Sequence, residues 1–388
     1  MSSLPLSGEP NNIFRKFLFW FAAGLLTLAI LFAIFWPKTR AYFQAAAILS
    51  QLNGQPAPFW LRPSCSLPLT AETFPIAFVA GPVTARSYTP AGRVHAPGIV
   101  IVPGIHYLGI DEPRLRAFAR SIAACGFRVL TPELPDSRDY RIAPSDIAAI
   151  GGSVAWLHRA TGKPVGLIGL SFSGGLALMA AAQPPYSNQI AGVLSVGAHD
   201  DLYRVAMFYV TGADPLPSGD IVRETPNNYG PWILEYEHLE DFIRPEDVGA
   251  IRSALRARLY NDPALEEKAV SRLSKSQKEE YAQVLEHPSW PLALSNKKHA
   301  AEMAALSPHG HLAGLHVPVY ILHGRADNLI PFAESYWLTQ DLPQGTLKER
   351  LVSPLIGHVT TNQDKANFMD RFALIRMLAR FLQRVEHP

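Results

Sequence analysis

Two serines, Ser171 and Ser173, stand beside Gly169, Gly174 and Gly175 in VGLIGLSFSGGLALMAAA, residues 165–182. The stretch begins as a run of strand formers and ends as a run of helix formers. A strand that turns straight into a helix through Gly-x-Ser-x-small lifts the serine hydroxyl above the end of the sheet. It also sets that hydroxyl at a helix N-terminus, where oriented amides favour developing negative charge. The turn is tight enough that the residues two before and two after the serine must be small. Ser171 meets this with Gly169 and Ser173. Ser173 meets it with Ser171 and Gly175, but only if the strand runs two residues further and Phe172 directly precedes the nucleophile. The natural end of the strand favours Ser171, and Ser173 is then the small residue that the turn requires.

This pattern resembles the α/β-hydrolase family, whose elbow reads Gly-x-Ser-x-Gly-Gly followed by an Ala-Leu pair, here Ala177 and Leu178. The departure is Ser173, which stands where the first glycine of Gly-Gly is usual. The resemblance covers roughly residues 75–388 and implies a nucleophilic Ser171 with two partners later in the chain. One is an acid after a later strand. VPVYILHGRADNLIP supplies Asp327, three residues beyond the His-Gly that closes the strand. The other is a histidine between the last strand and the terminal helix, and PLIGHVTT supplies His358. The order Ser, Asp, His is the order of this fold. His358 would take the Ser171 proton while Asp327 fixes the imidazole tautomer. Asp200 and Asp201, in GAHDDLYR, are the rival acids; their plainer role is to cap the helix that follows. The oxyanion hole is expected from the backbone N–H of Phe172 and of Ile105 or His106 in VPGIHYLG.

The elements that must position these residues are legible as an alternation. Strands are expected at 96–104, 127–134, 164–170 and 190–198, with helices at 111–126 and 145–162, the second with Ser145 as N-cap. Strands that read as continuous apolar runs between helices belong to a parallel sheet covered on both faces. The rhythm stops at 199–316, which reads as amphipathic helices without a convincing strand. It resumes at 317–324, with a strand near 347–355 and a helix over 365–383. The fold class expected is therefore an α/β-hydrolase fold, a mostly parallel doubly wound sheet with a helical cap insertion. Its parts are a first half of the core (71–198), the cap (199–316) and a second half of the core (317–388).

Ahead of the core, FLFWFAAGLLTLAILFAIFW (17–36) holds twenty residues without a charge, twelve of them Phe, Leu or Ile. Twenty residues of helix rise about 30 Å, the thickness of a bilayer core. The expectation is an N-terminal tail and transmembrane anchor (1–40), then a Pro-rich irregular linker (41–70). The flanking charges are balanced, and the short N-terminal tail tilts the reading toward a catalytic domain outside the cytoplasm.

The formal charge of +2 and the absence of a basic stripe speak against a nucleic-acid partner. Cys125 reads as a small buried hydrophobe, and a disulfide with Cys65 is weakly motivated. His309, His311 and His316 match no established ligand spacing, so neither a metal nor another cofactor is expected. The function expected is a membrane-anchored, carboxylesterase-like serine hydrolase acting on a small acyl ester, thioester or amide. The alternatives are a non-catalytic binding protein that keeps the fold and a lipase working at a membrane surface.

Overall fold

The computed structural model describes residues 11–52, 57–78, 81–93, 95–287, 289–357 and 367–388. Its centre is an eight-stranded sheet in the order β1-β2-β4-β3-β5-β6-β9-β10. β1 (Leu69–Phe78) and β2 (Gly81–Pro90) form an antiparallel pair at one edge, and β2 joins β4 (Arg128–Pro132) antiparallel. From β4 onward, through β3 (Gly98–Val102), β5 (Val165–Leu170), β6 (Ile190–Val196), β9 (Val319–Gly324) and β10 (Leu347–Ser353), every pairing is parallel. The inner strands are buried along all or nearly all of their length, as a sheet covered on both faces requires. The β1–β2 pair was not among the expected strands, because its exposed positions and internal prolines break the apolar runs.

Alternate residues of each strand feed two cores. Val100, Val102, Leu167 and Val193 face a layer that includes α3 (Pro144–Thr161) and α4 (Phe172–Ala182). Ile99, Ile101, Val129 and Ile168 face a layer made by α1 (Asn11–Leu52), α2 (Pro113–Ala124) and the C-terminal helix Phe368–Glu386. Ser145 does not cap α3. The N-cap position is Ala143, and the Ser145 hydroxyl donates instead to Asp136 Oδ2 at 2.6 Å.

The N-terminal expectation is corrected. Residues 17–36 are not a separate span; they are the first part of α1, which continues unbroken to Leu52. Among the described residues no helix is long and apolar enough to cross a membrane. The anchor and the orientation inferred from it both fall. The later turns of α1 are bound to the body of the protein, with Ala41, Gln44, Ala45 and Ile48 fully buried. Gln44 Nε2 donates to the Cys125 carbonyl at 2.8 Å. Residues 41–52, expected in the linker, are therefore helical and part of the core. Beneath them Cys65 and Cys125 form a disulfide, so Cys125 is not a free hydrophobe.

Between β6 and β9 lies the helical insertion, opened by α5 (Leu202–Thr211) and carrying one short two-stranded ribbon, β7 (Ala213–Pro215) with β8 (Ile221–Arg223). Asp201 caps α5, accepting from the amides of Tyr203 and Arg204. Later in the insertion a helix over Pro263–Ser271 is followed by one over Lys275–Leu285, whose N-cap Ser274 forms a capping box with Gln277.

Candidate active site

Strand order reverses between β3 and β5: β4 follows β3 on one side, and β5 lies on the other. In open α/β sheets a crevice forms at the carboxyl ends of the strands where the order reverses. The loop after β3 and the turn after β5 meet there. Val102 pairs with Gly169, and a Cβ placed on Gly104 would stand 3.2 Å from Ser171 Cβ. A side chain at Gly104 would therefore crowd Ser171, and glycine leaves the two segments close.

Ser171 sits at the junction of β5 and α4 with φ 57° and ψ −139°. A left-handed φ is strained for a residue with a side chain, and it is typical of a turn held in place for function. The surroundings hold it. The Ser171 amide donates to Val196 O at 2.7 Å, and its carbonyl accepts from the Gly174 amide at 2.8 Å. A Cβ on Gly169 would stand 2.5 Å from Ser173 O, so the glycine two before Ser171 cannot be replaced without moving the turn. Ser173 is fully buried, and its hydroxyl donates to Pro103 O at 2.6 Å. Of the two serines, Ser171 lines the cavity above the sheet, and Ser173 does not.

That cavity has a volume of about 930 Å³. Gly104, Ile105 and His106 line it, as do Asp327 and Gly357. Phe172 opens α4 directly after Ser171 and is buried against the His199 ring. His106 Nδ1 accepts from the Leu108 amide at 3.2 Å, which puts the proton of the neutral ring on Nε2. Burial lowers the His106 pKa, so that neutral form prevails at pH 7. Asp327 is buried after β9. Its Oδ1 accepts from the amides of Leu329 and Ile330 at 3.0 and 2.9 Å. Its Oδ2 lies over the end of β6, where a Cβ on Gly197 would stand 3.4 Å away. His323 Nε2, at 2.8 Å from Ile330 O and 3.7 Å from Asp327 Oδ2, supports the same loop from below. His358 lies outside the described residues.

The rival acids are engaged elsewhere. Asp201 caps α5, and Asp200 accepts from Arg204 Nη2 at 2.9 Å in a buried cluster with Asp214 and Glu334. The three histidines near 310 separate: His309 Nδ1 lies 2.6 Å from Asp341 Oδ2, His311 bonds Ser307 O, and His316 is exposed. The sequence reading missed the wall built by Ala46, Leu49 and Ser50 of α1. Its trace in the sequence is the run AYFQAAAILSQL, which has no Pro or Gly to stop a helix.

The sequence profile described as the alpha/beta hydrolase family matches residues 99–358. No curated protein matches the chain. Among solved structures it is similar to an acylaminoacyl peptidase of Pyrococcus horikoshii at 13% identity and a TM-score of 0.48, with 81% of this chain and 41% of that one covered. This chain thus spans about two fifths of that peptidase. It is similar also to brefeldin A esterase, a bacterial homologue of human hormone sensitive lipase, at 18% identity and a TM-score of 0.45, covering 91% and 87%. A third is 2,6-dihydroxy-pseudo-oxynicotine hydrolase, at 17% identity and a TM-score of 0.45, covering 80% and 68%.

Proposed function

The chain belongs to the alpha/beta hydrolase family, and from that premise we propose that it is a serine hydrolase cleaving a carboxylic ester, thioester or amide through an acyl-enzyme on Ser171. The observation that carries this reading is the left-handed Ser171 at a strand–helix junction, facing a cavity that Asp327 also lines. Ser171 Oγ attacks the acyl carbonyl. His358, which follows the cavity-lining Gly357 in the chain, takes the hydroxyl proton and returns it to the leaving group. Asp327, held by two backbone amides, orients the imidazole and stabilises its charged form. The oxyanion draws on the Phe172 N–H and on Ile105 or His106, donors of a kind worth about 3 kcal/mol each in the transition state. Water then repeats the cycle and releases the acid.

The test is incubation with a fluorophosphonate probe and with p-nitrophenyl esters, beside the Ser171→Ala variant. Labelling and turnover that both vanish in the variant are expected. Turnover that survives in Ser171→Ala would remove Ser171 from the chemistry. No labelling of the wild-type chain would favour a binding protein that keeps the fold.

A further inference from the structure

The cavity above Ser171 has two unlike walls. The wall from the insertion mixes polar and aromatic side chains: Asn227, Tyr229, Trp232, Arg258, Tyr260 and Asn261. The opposite wall carries Ala46, Leu49, Leu115, Phe118, Leu374 and Leu378. Ala46, Leu49 and Ser50 are three and four residues apart, so they share one face of α1. The Ser50 hydroxyl donates back to Ala47 O at 2.8 Å within its own helix, which leaves that face with little polarity. The charged residues on this wall lie at helix starts: Glu112 and Arg114, 2.7 Å apart at the head of α2, and Arg371 in the first turn of the C-terminal helix. Between them the surface is aliphatic and aromatic. α1 precedes the segment matched to the family, 99–358, so the part of this wall that α1 supplies lies outside the matched segment.

We propose that the wall formed by α1, α2 and the C-terminal helix holds a straight aliphatic acyl chain of the substrate, and that α1 sets the length of chain accepted. The mixed wall of the insertion then faces the leaving group. This rests on the acyl-enzyme reading. An acyl chain has no hydrogen-bonding groups and gains from burial in proportion to its methylenes. Each methylene added should raise kcat/KM about fourfold until the arm is full. The fixed end of α1 supplies the stop: its buried face is anchored through Gln44 to Cys125, so Ala46 and Leu49 cannot easily retreat.

The experiment measures kcat/KM for p-nitrophenyl acetate, butyrate, octanoate and dodecanoate with the full chain. It compares Ala46→Trp, Leu49→Ala and, on the opposite wall, Trp232→Ala. Fluorophosphonate labelling and the melting temperature are followed throughout. The expected result is a wild-type preference for the longer esters. Ala46→Trp should lower the octanoate-to-acetate ratio by about tenfold or more. Leu49→Ala should move the optimum toward dodecanoate, and Trp232→Ala should leave the order of chain lengths as it is. Ratios unchanged in both α1 variants, or a flat wild-type profile, would overturn the proposal while the acyl-enzyme reading stands. A chain-length order altered by Trp232→Ala alone would place the chain against the insertion and also overturn it. If the wild type neither labels nor turns over any ester, the acyl-enzyme reading itself fails. Should Ala46→Trp not fold, Leu49→Ala decides by its shift in the opposite direction.

Discussion

The Ser173 hydroxyl donates to the Pro103 carbonyl at 2.6 Å, tying the residue two past the candidate nucleophile to the loop that faces it. This bond joins the turn after β5 to the segment carrying Ile105 and His106, the two parts that an oxyanion hole would need in fixed relation. It also engages the only other hydroxyl in the turn. Ser173→Ala should therefore keep covalent labelling by a fluorophosphonate but lose about 1 kcal/mol of stability, since a buried carbonyl loses its donor. It should also lower kcat severalfold by loosening the loop. Ser171→Ala should abolish labelling with little change in melting temperature. Labelling lost in Ser173→Ala and kept in Ser171→Ala would reverse the register.

Asp327→Asn should reduce kcat by up to about 10⁴ while the fold persists, because an amide holds the imidazole in the wrong tautomer. The amide oxygen can still accept from Leu329 and Ile330, so the loop keeps its two bonds. Asp201→Asn should instead leave kcat near normal, since Asp201 caps α5. Steady-state kinetics beside circular dichroism would decide. Near-normal turnover in Asp327→Asn would move the acid elsewhere.

What was legible in the sequence follows from how local its causes are. The elbow could be read because its small residues, its strand and its helix all lie within eighteen consecutive positions. The parallel strands could be read because burial on both faces leaves continuous apolar runs. The β1–β2 edge is half exposed and carries no such run. The apolar stretch 17–36 was misread because hydropathy in a window takes no account of where a helix ends. The later turns of α1 pack on the body of the protein, and Ala41, Ala45 and Ile48 could be recognised as buried only against helices more than sixty residues away in the chain. The Cys65–Cys125 bond is likewise a property of the packed chain, not of spacing.

That disulfide closes a separation of 60 residues, for which chain entropy gives about 4 kcal/mol. Its reach should extend beyond global stability, because the Cys125 carbonyl accepts from Gln44 of α1. Reduction, or Cys65→Ser with Cys125→Ser, should lower the melting temperature. It should also raise amide exchange across 41–52 more than across β5. A fall in melting temperature with exchange at 41–52 unchanged would confine the bond to the turn around Cys65 and release α1 from its control.

Asp214 should make stability depend on pH. It is fully buried with Asp200 and Glu334 around one guanidinium, that of Arg204, and among the described residues only Asp200 has a further cationic neighbour, His309 Nδ1 at 3.8 Å when protonated. Glu334 is the best served: Arg204 donates to it twice, and the amides of Asp200 and Asp201 bond its Oε2. Neither Asp214 oxygen accepts a hydrogen bond among the described residues. Burial first, and then the neighbouring Glu334 carboxylate, push Asp214 up to about 8; the same causes push Asp200 up to about 7. A carboxyl whose pKa is raised on folding holds more protons in the native state than in the unfolded state. Stability therefore falls as pH rises from about 4 to about 8, and the loss is complete above that range. Asp214→Asn keeps the shape and removes the charge. It should raise the melting temperature at pH 8.5, by roughly 2–4 °C for each kcal/mol recovered, and change it little at pH 5. Thermal melts of both proteins across this range would test it. A variant less stable than wild type at pH 8.5 would mean that the Asp214 carboxylate gains more from Arg204 than it loses by burial, against a raised pKa.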